Sequence, residues 1–168
     1  ERTIENIAKK VVKMEERNCE QSEINGKIVL TPVQKDFIHN HKLKEMNYYN
    51  QAIILEAEKF DKNALKKVLE EIVRHHDMLR LYQKDTDLII RKCDNDLLFS
   101  YEEIDMVYNS SINMEEECTR INKSMDLNGP ILKAVIFVDS NKEYLMLCIH
   151  HLAVDEVSWR ILIEDIRT

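Results

Sequence analysis

Glycine and proline are scarce, two of each in 168 residues. Each therefore reads as punctuation: "NGK" at 25–27 and "NGP" at 128–130 mark turns before strand-like segments. Pro32 after Thr31 marks a helix entry with threonine as N-cap. The four cysteines, Cys19, Cys93, Cys118 and Cys148, lie far apart with no CxxC pair, which excludes a zinc signature. In a reducing compartment they are free thiols, with Cys148 packing inside an apolar run. HExxH is absent as well, so no metal is expected. Lys and Arg number 24 against 31 Asp and Glu, a net charge of −7. That balance excludes a nucleic-acid surface, which needs clustered cations. The apolar runs, such as "ILKAVIFV" and "YLMLCIHHLAV", are strand-length and fall short of a membrane span. No charged leader with a cleavage site opens the sequence, and a cytoplasmic location is expected.

What is present suits one well-buried core. Hydrophobic residues make up 44% and charged residues 33%, the latter interleaved in sign, and 168 residues is short for two domains. Over 2–16, Ile4, Ile7, Ala8, Val11 and Val12 fall at helical spacing, and the polar stretch after them reads as a linker. Further helices are predicted from Pro32 to about residue 40 and over "NALKKVLEEIVRHH". Two more are predicted over "NMEEECTRINKSM" and "VSWRILIEDI". Strands are predicted at "NQAIILEA", "MLRLYQ", "DLIIRKC", "LFSYEEID", "PILKAVIFV" and "KEYLMLCIH", the second and third joined by "KDTD". This alternation predicts an α/β lobe built on a mixed β-sheet.

Two of the six histidines stand side by side in "IHHLAVDEVSW", where a strand ends and a short loop leads into a helix. Such strand ends are where α/β folds present reactive groups. On a strand, His150 and His151 point to opposite faces, so one addresses a cavity while the other packs or orients. Imidazole suits proton transfer, with a reference pKa of about 6.5. A pair of buried, hydrogen-bonded histidines fits the same pattern. Asp155 either folds back towards the pair or caps the last helix. His75 and His76 lie at a helix end, and His39 and His41 read as surface residues.

The whole string is more specific. "HHLAVDEVSWRILIEDI" resembles the HHxxxDG core motif of nonribosomal peptide synthetase condensation-type domains, and "VSWRIL" looks most like their epimerization subclass. "GKIVLTPVQKDFI", "NYYNQAIILEA", "HHDMLRLY" and "DLNGPILKAVIF" resemble other segments of that domain, in order and at similar spacing. The match covers residues 26–168 as an amino-terminal lobe. Residues 1–18 are similar to the last helix of a carrier domain, with 19–25 as linker.

The resemblance implies a chloramphenicol-acetyltransferase-like lobe, a mixed β-sheet flanked by helices. Two such lobes form a V with a tunnel between them. No cofactor is bound directly: the substrate arrives as a thioester on the 4′-phosphopantetheine arm of a peptidyl carrier protein. Neighbouring synthetase domains are the other implied partners, in the setting of secondary-metabolite and antibiotic biosynthesis. His151 matches the motif's acid/base histidine, opposed across the substrate Cα by a glutamate of the carboxy-terminal lobe. One group removes the Cα proton and the other returns it from the opposite face, converting L to D. Asp155 is implied to form a buried pair with Arg80, or failing that Arg74, so that Asp155→Ala is expected to unfold the lobe. His150 and Ser158 take supporting roles, Ser158 near the substrate, and Trp159 belongs to the core. Two departures stand out. Glu156 replaces the motif glycine, either crowding the tunnel and perturbing His151 or pointing to solvent at the helix start. The carboxy-terminal lobe is also missing, so the isolated lobe is expected not to epimerize. The alternatives are a condensation domain forming an amide, or a degenerate module that binds a carrier protein without catalysis.

Overall fold

The computed structural model describes residues 22–41, 43–85, 87–94, 97–108 and 111–167. The helix expected over 2–16 lies outside the described residues. The strands are β1 (Gly26–Lys27), β2 (Asn50–Ala57), β3 (Leu81–Lys84), β4 (Asp87–Ile90), β5 (Ser100–Asp105), β6 (Leu132–Val138) and β7 (Glu143–His150). The helices are α1 (Pro32–Asn40), α2 (Leu43–Met46), α3 (Lys62–His75), α4 (Met114–Lys123) and α5 (Glu156–Arg167).

Capping chemistry sets the helix starts. Thr31 accepts from the Gln34 amide at 3.3 Å, and the Gln34 side chain accepts from the Thr31 amide at 3.0 Å, a reciprocal capping box ahead of Pro32. Asp61 accepts from the amides of Asn63 and Ala64, each at 3.0 Å, to start α3. Asn113 does the same for α4, whose first turn carries Glu115, Glu116 and Glu117 against the positive end of the helix dipole. In α3, Leu65, Leu69, Ile72 and Val73 form the buried stripe expected from their spacing.

The main sheet has strand order β2-β7-β6-β5, antiparallel except for the parallel β5–β6 pair. A parallel pair needs a crossover, and α4 supplies it. Helices α3 and α5 cover one face, over Leu145, Leu147, Ile149, Ala134 and Ile136. The other face carries Met146, Cys148, Val135 and Phe137, packed with Ile121 of α4. Strand β7 is thus buried on both faces, which explains its unbroken apolar run. The architecture is the α/β, chloramphenicol-acetyltransferase-like lobe with a mixed sheet flanked by helices.

Two expectations change. The single sheet is joined by a second, antiparallel one of order β1-β4-β3, which lies apart from the main sheet's strand order. "MLRLYQ" is also not one strand. Asp77–Arg80 form a 3₁₀ turn and β3 begins only at Leu81, because the Leu79 amide bonds back to the His76 carbonyl at 2.9 Å. The β3–β4 turn places Asp85 at φ 55°, a left-handed conformation that aspartate tolerates better than most residues.

Candidate active site

β7 ends at His150, and a tight turn, closed by the Ala153 amide on the His150 carbonyl at 3.0 Å, leads towards α5. Alternation along the strand separates the two histidines, as expected. His150 is 0% exposed. Its Nε2 lies 2.7 Å from the Met46 carbonyl, and its Nδ1 accepts from the Leu152 amide at 3.1 Å. A carbonyl only accepts and an amide N–H only donates, so the ring is neutral with its proton on Nε2. Burial holds its pKa below the ordinary histidine value. His150 is a structural pin joining the end of α2, the turn and β7.

His151 is exposed. Its amide donates to the Tyr49 carbonyl at 2.8 Å, anchoring the turn to the chain entering β2. Its Nδ1 lies 2.7 Å from the Val154 carbonyl, which only accepts, so Nδ1 carries a proton and donates it there. Nε2 is 3.3 Å from the Gln51 amide nitrogen, and Gln51 Oε1 accepts from the Trp159 indole at 2.9 Å. Helix α1 reaches the same turn through Gln34, whose amide donates to the Leu152 carbonyl at 3.1 Å.

Asp155 does not pair with Arg80. It is exposed and caps α5: its carboxylate accepts from the Ser158 amide at 2.8 Å and from the Ser158 hydroxyl at 2.7 Å. These bonds, the backbone one foremost, hold its pKa below the usual aspartate value. Ser158 is thus committed to the cap. Arg80 is 2% exposed and its guanidinium turns the other way. It donates to the carbonyls of Val73 (2.9 Å), Arg74 (2.7 Å), Arg91 (3.0 Å) and Ile24 (3.1 Å), and pairs with Asp77. Two of these carbonyls belong to the last turn of α3, where a cation is favoured, and that is why the arginine is drawn there. Arg74, the fallback partner, is exposed and donates to the Cys93 carbonyl at 3.1 Å. Glu156 is exposed at the first position of α5, the solvent-facing reading. His41, expected at the surface, is half-buried: its ring stacks on Phe37 with centroids 4.5 Å apart and meets Tyr49 edge-on at 4.7 Å.

A groove of about 810 Å³ opens beside Tyr82, Arg91 and Asn128 on the three-stranded sheet, and His151 does not line it. A cavity of about 400 Å³ adjoins the turn after β7 through Ala153, Val154 and Ser158. Sequence reasoning passed over Gln51 and over the polar role of Trp159. A signal for Gln51 was available: it occupies the inward-facing set of β2 together with Ile53 and Leu55, where an amide side chain needs a partner.

Comparison with known proteins identifies the family. The condensation domain family model matches residues 24–168. Tyrocidine synthase 2 of Brevibacillus parabrevis is 36% identical over 171 residues, covering 97% of this chain and 5% of that protein. The chain thus spans a small fraction of the curated relatives it matches. Among solved structures, the epimerization domain from the third module of tyrocidine synthetase B superposes with a TM-score of 0.77 at 34% identity, covering 89% of this chain and 35% of that one. A four-domain nonribosomal peptide synthetase matches in fold, with a TM-score of 0.67 at 15% identity over 89% of this chain and 12% of that one. On the motif, the fold and the extent of these matches, this chain belongs to the condensation-domain family of nonribosomal peptide synthetases.

Proposed function

We propose that this chain is the amino-terminal lobe of an epimerization domain, residues 26–168, with His151 as one of its two acid/base groups. The observation that carries the reading is the His151 ring: exposed at the end of β7, with its Nδ1 proton held on the Val154 carbonyl and its Nε2 turned to Gln51. The 34% identity to an epimerization domain and the "VSWRIL" continuation favour this subclass over condensation. The substrate is an aminoacyl or peptidyl thioester carried on the phosphopantetheine arm of a peptidyl carrier protein. His151 Nε2 takes the Cα proton, and the electron pair left behind is delocalised into the thioester carbonyl. A glutamic acid from the carboxy-terminal lobe returns a proton to the other face of Cα, and exchange with solvent then removes the proton from His151 and restores one to the glutamate. Inversion needs this second group, because His151 alone reaches one face. Residues 1–18 are proposed to end a preceding carrier domain.

The test is incorporation of solvent deuterium at Cα of a carrier-bound aminoacyl thioester, using the domain with both lobes and His151→Ala as control. Exchange that disappears in the variant supports epimerization. Retained carrier binding without exchange in the unmutated domain refutes it. An amide-formation assay then separates condensation from a non-catalytic carrier-binding module, the reading that Glu156 in place of the motif glycine favours.

A further inference from the structure

Three hydrogen bonds in series join α5 to the His151 ring and on to the Val154 carbonyl, and donor chemistry permits them a single polarity. An indole N–H can only donate, so Trp159, 2.9 Å from Gln51 Oε1, fixes which end of the Gln51 amide faces α5. The NH₂ end is thereby turned towards His151 Nε2, 3.3 Å away. The Val154 carbonyl, 2.7 Å from Nδ1, can only accept. Every group is satisfied only when the ring proton sits on Nδ1 and the Nε2 lone pair faces the amide. Inverting the amide to suit a protonated Nε2 would set its NH₂ against the indole N–H. Trp159 is 8% exposed and packed in the core between α3, α5 and the sheet, so it holds its place.

We infer that Gln51, oriented by Trp159, is a positioning residue that fixes the tautomer and the orientation of the His151 ring. The inference rests on the reading of His151 as an acid/base group. Its consequence is an asymmetry between the two forms of the ring. The neutral form is matched by an N–H donor. The protonated form meets that same donor and is freed from Gln51 as the proton arrives. Gln51 acts through the ring.

Nitrogen-15 NMR of the His151 ring in the 168-residue chain reads this directly. At pH 7.5 the unmutated ring is expected to show a protonated Nδ1 and an unprotonated Nε2. Gln51→Glu has the same shape and leaves one oxygen for the Trp159 N–H while turning the other to Nε2. The Nε2 signal is then expected to move to the protonated position. Trp159→Phe keeps an aromatic ring but releases the amide, and is expected to add a protonated Nε2 population; it serves if the first variant fails to fold. An Nε2 signal that is protonated in the unmutated chain, or unmoved in both folded variants, overturns the inference. In the deuterium-exchange assay, Gln51→Glu is expected to lose activity towards the His151→Ala level, on the order of 100-fold. The ring spectrum judges the positioning role and His151→Ala judges the epimerase reading, so the two fail separately.

Discussion

Replacing Arg80 by methionine is expected to be among the most damaging single changes in this lobe. The guanidinium is 2% exposed and satisfies four backbone carbonyls and the Asp77 carboxylate. Each acceptor left buried without a partner costs about 1–3 kcal/mol. Breaking a buried ion pair costs about 3–5 kcal/mol in total, a figure that already includes some of those acceptors. The Asp77 side chain is 29% exposed and recovers part of its hydration, so the loss is expected to be about 3–4 kcal/mol. For a chain of this size that is a fall in Tm of about 6–16 °C. Urea unfolding followed by circular dichroism gives the free energy, and double-mutant cycles identify the partner. Arg80 with Asp77→Asn is expected to show coupling of about 1 kcal/mol or more, and Arg80 with Asp155→Asn less than about 0.5 kcal/mol. Arg80→Lys is expected to rescue only in part, since one ammonium does not span carbonyls on both sides of a planar fork. A loss below about 1 kcal/mol for Arg80→Met, or stronger coupling to Asp155 than to Asp77, would refute the reasoning.

Three further outcomes are expected. Because burial depresses the His150 pKa, the unfolded chain binds its proton first as pH falls; stability is therefore expected to decline below about pH 6.5, by at most about 1.4 kcal/mol per pH unit from this group. Urea midpoints between pH 5 and 7.5 check this, and His150→Gln should flatten the trend. Asp155 has the opposite sign: its cap holds above about pH 4 and is lost as pH falls through its depressed folded pKa, so Asp155→Asn and the unmutated chain should converge in stability once the pH is below that folded pKa. Burial pushes the Cys148 thiol up to about 11, so native-state alkylation at pH 8 should leave Cys148 unmodified and denaturation should expose it.

The sequence was most legible where a short-range rule decides the structure. Thr31-Pro32, the stripe of Leu65, Leu69, Ile72 and Val73, and the apolar runs ending at Val138 and His150 marked their elements because caps, 3.6-residue spacing and strand alternation are local. The opposite burial of His150 and His151 was legible for the same reason. Partners across long separations were not. Arg80 and Asp155 are both charged residues near the histidine motifs, and only the tertiary fold shows that one closes α3 while the other opens α5. Likewise, the three-stranded sheet depends on Gly26 meeting Ile90, a pairing with no local signature.

The pairing of β2 with β7 also bears on how the protein is made. Asn50 lies opposite His150, 100 positions later, and Ala57 opposite Glu143. On a translating ribosome at about 5–20 residues per second, β2 waits roughly 5–20 s for the strand that will carry the histidines. During that interval Ile53 and Leu55 have neither their sheet neighbour nor the closing helix above them. Synthesis rate and chaperone access in that window therefore govern the yield of folded lobe, and truncation before β7 leaves an unpaired apolar strand open to aggregation.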